Sequence, residues 1–188
     1  MRKGALEGIR VLDLGRVVAA PICGQILGDL GADVIKVERV KGGDDVRGVA
    51  PFTKDGVNLY YPTFNRNKRS ITLDYTKPEG RELFYELVKE CDVLVENNAA
   101  GVMKKYQLDY ESVIKYNPSI IYGSISGYGQ KDSPYVNYPA FDGIAQAFGV
   151  LIAMNGREGE PGIKVGPGAV DEISGYMCAI GVLAALYE

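Results

Sequence analysis

The chain has 188 residues, 46% hydrophobic and 24% charged, with a formal net charge of −3. These values place it in the ordinary globular range, with material for one domain and no broad attraction to nucleic acid or anionic membranes. It holds no histidine, which excludes within it the Ser/His/Asp and Cys/His nucleophile systems, the H-E-x-x-H zinc site and any imidazole base. Acid, base and nucleophile roles fall to carboxylates, lysine, tyrosine or serine. Cys23, Cys91 and Cys178 are far apart and lack a C-x-x-C, so they read as small core residues, and neither a disulfide framework nor a metal site is expected. The opening stretch MRKGALEGIRVLDLGR has two early cations, Arg2 and Lys3, but charges interrupt every apolar run. A cytoplasmic protein without leader or membrane span is expected.

Residues 9–14 (IRVLDL) form a short β-rich run ended by Gly15. Pro21 opens a helical pattern with Ile22, Ile26, Leu27 and Leu30 on one side, closed by Gly31. Residues 32–38 (ADVIKVE) read as a second strand, so residues 9–38 make one βαβ unit. The pattern repeats loosely. Residues 70–74 (SITLD) are a strand, 78–91 a helix with Leu83, Phe84, Leu87 and Val88 inward, and 92–96 (DVLVE) a strand. A short helix over 110–116 and a strand over 119–126 follow. Such alternation predicts an α/β fold, a Rossmann-like parallel sheet with helices on both faces. The segments 40–67 and 127–139 are irregular and stand as candidate site loops, because loops at the carboxyl ends of parallel strands form the ligand crevice.

The first βα turn reads G-R-V-V-A-A-P, which lacks the glycine fingerprint of a dinucleotide site and argues against an NAD(P) oxidoreductase. Arg39 after the second strand adds a cation instead. Arg66, Lys68 and Arg69 precede the third predicted strand, either as a solvated loop or as an anion site. Near the end, VGPGAVDEISGYM sets Asp171 between a glycine-rich approach and an apolar helix. It is either an N-cap or a carboxylate open to a ligand, beside backbone N–H groups able to hold an oxyanion. Ile173, Met177, Ile180 and Ala184 share one face of that helix, and Gly175 and Ala179 permit close approach of another element.

The motifs LEGIRVLDLGRVVAAP, LGADVIKVE, GGDDVR, NRNKRSITLD, PEGRELFYELVKECDVLVEN, ISGYGQ, PAFDGIAQA and the D-x-x-x-G start of the last helix resemble the class III CoA-transferases in order and spacing. The resemblance implies that Asp171 is the catalytic nucleophile. It would form a mixed anhydride with the donor acyl group and then an aspartyl-CoA thioester. Coenzyme A would be a substrate, with no tightly bound cofactor, and would contact positions matching Val18, Ala19, Arg39, Lys68, Arg69, Asn97 and Lys105. Where the family carries an aromatic or basic residue and often a Pro-Gly turn after V-E-N, this chain has Asn98-Ala99-Ala100-Gly101. Tyr128, Tyr135, Tyr138 and Phe141 are candidates for lining the acyl pocket.

The related acyl-CoA racemases use a histidine that would fall at Phe141, so transferase is the favoured reading; a non-catalytic CoA- or nucleotide-binding module is the other. The resemblance further implies that residues 1–188 are the N-terminal part of a large CoA-binding domain, without the small domain and C-terminal return. It also implies an interlocked homodimer whose partners are acyl-CoA and a small carboxylic acid, with neither nucleic acid nor membrane among them. The final helix, including Leu183 and Leu186, would then lack some apolar neighbours.

Overall fold

A computed structural model describes residues 4–188; Arg2 and Lys3 lie outside the described residues. Five strands, β1 (Arg10–Asp13), β2 (Asp33–Glu38), β3 (Lys68–Thr72), β4 (Val93–Glu96) and β5 (Ile121–Ser124), form one sheet in the order β3-β2-β1-β4-β5. Every pairing is parallel. The three central strands are almost wholly buried, as a parallel sheet covered on both faces requires.

Alternate side chains serve two cores. Leu12, Ile35 and Leu94 face Phe84 and Val88 of α3 (Pro78–Lys89) and Val113 of α5 (Tyr110–Val113), with the short α4 (Val102–Lys105) on the same side. Val11, Val34, Val93 and Val95 face Cys23 and Leu27 of α1 (Ala19–Asp29) and Ala179 and Val182 of α8 (Ala169–Tyr187). Between β2 and β3 lie a 3-10 turn at Asp45–Gly48 and α2 (Tyr60–Asn65). Between β5 and α8 lie α6 (Asp142–Phe148) and α7 (Leu151–Met154).

The contact between α1 and α8 sets the site. A Cβ on Gly175 would lie 2.5 Å from the Ala19 carbonyl oxygen and 2.9 Å from Ile22 Cβ. Only glycine therefore lets α8 press on the start of α1. Asp171 is four positions earlier, one helical turn away on the same side. The D-x-x-x-G spacing thus seats the acid over the β1–α1 loop.

Three expectations are corrected. Leu83 is 59% exposed while Phe84 and Val88 are fully buried, because α3 turns a narrower stripe inward. Strand β3 begins at Lys68 rather than residue 70, since an edge strand can carry polar side chains on its open side. Helix α2 occupies part of the segment read as irregular. On α8, Gly175 and Ala179 permit the close approach expected of them and form the buried flank with Val182, while Ile173, Met177 and Ile180 are exposed. That helix is apolar all round, so periodicity does not distinguish its faces; it is also long and apolar enough, by length and composition, to cross a membrane.

Candidate active site

The crevice opens at the carboxyl ends of the strands. Its inner wall is the turn from β1 into α1, held by groups from three other segments. Asp13 Oδ1 accepts from Gly15 N at 2.7 Å, and Lys36 Nζ donates to Gly15 O at 2.7 Å. Asn97 brackets the next peptide: its Oδ1 accepts from Arg16 N and its Nδ2 donates to Arg16 O, both at 2.8 Å. Val17 N donates to Asp44 Oδ1 at 3.2 Å. Under these restraints Val17 holds φ at 64°, a left-handed conformation that is costly for a β-branched residue and must be imposed by its surroundings.

Asp171 faces this turn. It is the third residue of α8, whose N-cap is Gly168, so the N-cap reading does not hold. Its carboxylate makes no hydrogen bond or ion pair among the described residues. It lines a cleft of about 410 Å³ together with Val17, Val18, Asn97, Gly127, Tyr138 and Phe141. A recess of about 110 Å³ beside it adds Ala19, Val170 and Ser174. Burial raises the Asp171 pKa above the ordinary aspartate value, helped by the negative charge of Asp142 and opposed by Lys164. Phe141 stands exposed on the cleft wall just before α6. Tyr128 shares that wall, while Tyr135 packs behind it with ring centroids 5.6 Å apart.

A second basin of about 690 Å³ adjoins the first, sharing Arg16, Asn98 and Val102 with it. Arg39, Lys41 and Lys77 bring cations to its rim, and Tyr75 and Tyr106, with centroids 6.0 Å apart, give it an aromatic wall. Arg16 and Arg39 both pair with Asp45, which keeps the two guanidinium groups together. The groove therefore runs from a carboxylate to a cation cluster. An elongated anionic molecule with a reactive uncharged end matches that distribution of charge.

The structure brings Asp171, Val18, Ala19, Asn97 and Arg39 to this groove. Lys68 is corrected. Its ammonium is buried and donates to Asp13 Oδ2 at 2.7 Å, Pro21 O at 2.7 Å and Asn65 Oδ1 at 3.0 Å, so all three N–H bonds are spent inside the protein. Arg69 is corrected as well: its guanidinium grips Asp33 at 2.9 and 2.7 Å, at the amino end of β2 and away from the crevice. Lys105 is exposed on α4, its Nζ 5.3 Å from the centroid of Tyr106. Arg16, Lys41, Tyr75, Lys77 and Tyr106 were not singled out from sequence, and Asn98 only as a departure from the family pattern. Arg16, Lys41, Tyr75, Lys77 and Asn98 lie just after a strand or in a strand-to-helix loop, and Tyr106 directly follows α4.

The CoA-transferase family III profile matches residues 6–188, and the chain belongs to this family. It is 44% identical to a succinyl-CoA:mesaconate CoA-transferase of Haloarcula hispanica, over 98% of this chain and 48% of that protein. It is 40% identical to a formyl-CoA:oxalate CoA-transferase of Rhodopseudomonas palustris, over 98% of this chain and 43% of that one. The crystal structure of a CAIB/BAIF family protein from Brucella suis superposes with a TM-score of 0.92 at 39% identity, covering 99% of this chain and 50% of the other. The chain thus spans about half the length of the curated relatives it matches.

Proposed function

We propose that this chain carries the nucleophile and much of the CoA groove of an enzyme that moves coenzyme A between an acyl-CoA thioester and a carboxylic acid. The carrying observation is Asp171: a half-buried carboxylate without a partner among the described residues, facing a cleft that continues into a cation-lined basin. A carboxylate so placed is desolvated and free, which favours attack on an activated carbonyl.

Asp171 adds to the thioester carbon, the C–S bond breaks, and CoA leaves as thiolate with a mixed anhydride behind it. The thiolate adds to the aspartyl carbonyl of that anhydride, expelling the donor acid as carboxylate and leaving an aspartyl-CoA thioester. The acceptor carboxylate runs the same two steps in reverse. No proton changes hands overall, which agrees with a chain without imidazole. Pantetheine would thread the cleft past Val18 and Asn97, with the phosphates near Arg39, Lys41 and Lys77 and the adenine against Tyr75 and Tyr106. Arg39 suits phosphate by its planar donor fork. The acyl end would meet Tyr138 and Phe141.

The exposed Ile173, Met177 and Ile180 on α8 suit a covered face, in keeping with a second copy of the polypeptide as partner, in the cytoplasm. Incubation of the full chain with an acyl-CoA, hydroxylamine quench and peptide mass spectrometry tests the reading. A hydroxamate at position 171 is expected. CoA binding without any adduct at 171 would instead mark a non-catalytic CoA-binding protein.

A further inference from the structure

Asp171 sits in the first turn of a helix, where an acid normally caps backbone N–H groups. In α8 that work is done from outside. Asp142 Oδ1 accepts from Val170 N at 2.9 Å. Its other oxygen takes Lys164 Nζ at 2.8 Å and Gln146 Nε2 at 2.7 Å. Gln146 is fully buried and holds Val165 by both backbone groups, donating to its carbonyl at 2.7 Å and accepting from its N–H at 2.9 Å. Lys164 also donates to Pro167 O at 3.0 Å. Asp142 and Gln146 are one turn apart on α6 and so present one face. Together they fix both ends of the Gly166-Pro167-Gly168 approach.

We infer that Gln146 and Asp142 are positioning residues for Asp171: they clamp residues 165 and 170 and satisfy the helix terminus, which leaves the Asp171 carboxylate without an internal partner and aimed at the cleft. Were Val170 N–H unfilled, the nearest acid to close on the helix end would be Asp171 itself, and its carboxylate would turn inward. The inference rests on Asp171 being the nucleophile, as proposed above.

The test is the rate of hydroxylamine-trapped labelling at position 171 in the full chain, per folded molecule, against pH. Gln146→Met keeps volume and removes the hydrogen bonds. It should slow labelling about 100-fold, the scale of a misplaced reacting group, with KM for the acyl-CoA unchanged. Asp142→Asn can still accept from Val170 but faces Lys164 and Gln146 with a donor, so labelling should slow similarly. Asp142→Asn has a second signature. The groups whose charges act with Asp171 are Asp142 from α6, Lys164 from the approach segment, Glu172 from α8 and Tyr60 from α2. Removing the Asp142 charge leaves Lys164 less opposed, so the acid limb of the labelling profile should move to lower pH.

A merely structural role would lower the melting temperature without touching the rate per folded molecule or the acid limb. Labelling of both variants at the parent rate, with an unmoved acid limb, overturns the inference while the nucleophile stands. Absence of labelling in the parent chain overturns both. Should Gln146→Met fail to fold, the Asp142→Asn rate and acid limb decide alone.

Discussion

Two parts of the crevice handle buried charge in opposite ways. Beneath the first turn, Asp13 pairs with Lys68, and Lys36 Nζ lies 2.9 Å from Asp44 Oδ2, with all four side chains almost fully buried. Glu38 nearby is pushed upward by burial but outweighed by donors from Arg47, Ser70, Asp44 N and Tyr61, so its pKa falls far below the ordinary carboxylate range. At the start of α8, Asp171 is partly buried with no hydrogen-bond donor among the described residues, and burial moves its pKa up. Burial with partners makes a carboxylate part of the scaffold; burial without them keeps it reactive. The scaffold charges Asp13, Lys36 and Asp44 hold Gly15 and Val17 in the turn that faces Asp171.

The largest expected effect tests the reactive side of that contrast. Asp171→Asn should reduce CoA transfer on the order of 10⁴-fold, as loss of a covalent nucleophile does, while the chain stays folded by circular dichroism. Next comes the scaffold side. Lys36→Met should cost about 3–5 kcal/mol of stability, because Asp44 would be left buried without its cation, and a denaturant midpoint measures it. Lys68→Met should behave alike for Asp13 and leave CoA affinity in the surviving folded fraction unchanged. A large rise in the CoA Kd there would instead return Lys68 to the binding site. Gly175→Val should cost about 1–3 kcal/mol by overpacking the α1–α8 contact, read in the same assay.

Arg39→Ala is smaller. It should weaken CoA binding about tenfold, the worth of one charged hydrogen bond, with little change in melting temperature. The smallest effect is in pH dependence. Because the folded pKa of Asp171 lies above its ordinary value, the folded chain binds a proton there at higher pH than the unfolded chain. That term adds stability as pH falls through the window between the two values and is unfavourable above it. Asp171→Asn should therefore be slightly more stable than the parent at neutral pH and lose that slope, as thermal unfolding against pH would record. The acid limb of activity should likewise sit above the ordinary aspartate range, since attack requires the ionised form.

Much of the sheet was legible because its central strands are continuous apolar runs separated by helical periods. The edges were less so. Lys68 and Arg69 read as one basic cluster, yet the pleat sends adjacent side chains to opposite faces: one goes under α1 to Asp13, the other outward to Asp33. On α8 apolar periodicity does not mark the packed side, but the small residues do: Gly175 and Ala179, read as permitting close approach, form the flank that meets the core.

By itself the sequence determined the chemical inventory, carboxylates, lysine, tyrosine and serine but no imidazole, and the β/α alternation that puts loops at one end of a parallel sheet. It also set Asp171 and Gly175 one helical turn apart. The tertiary structure alone decided which charges are consumed and which remain free. Lys68 finds Asp13 55 residues away, and Val170 N finds Asp142 28 residues away. Parallel crossovers bring such partners together across long separations, and no local pattern of residues encodes which of several cations or acids will be nearest once the layers close.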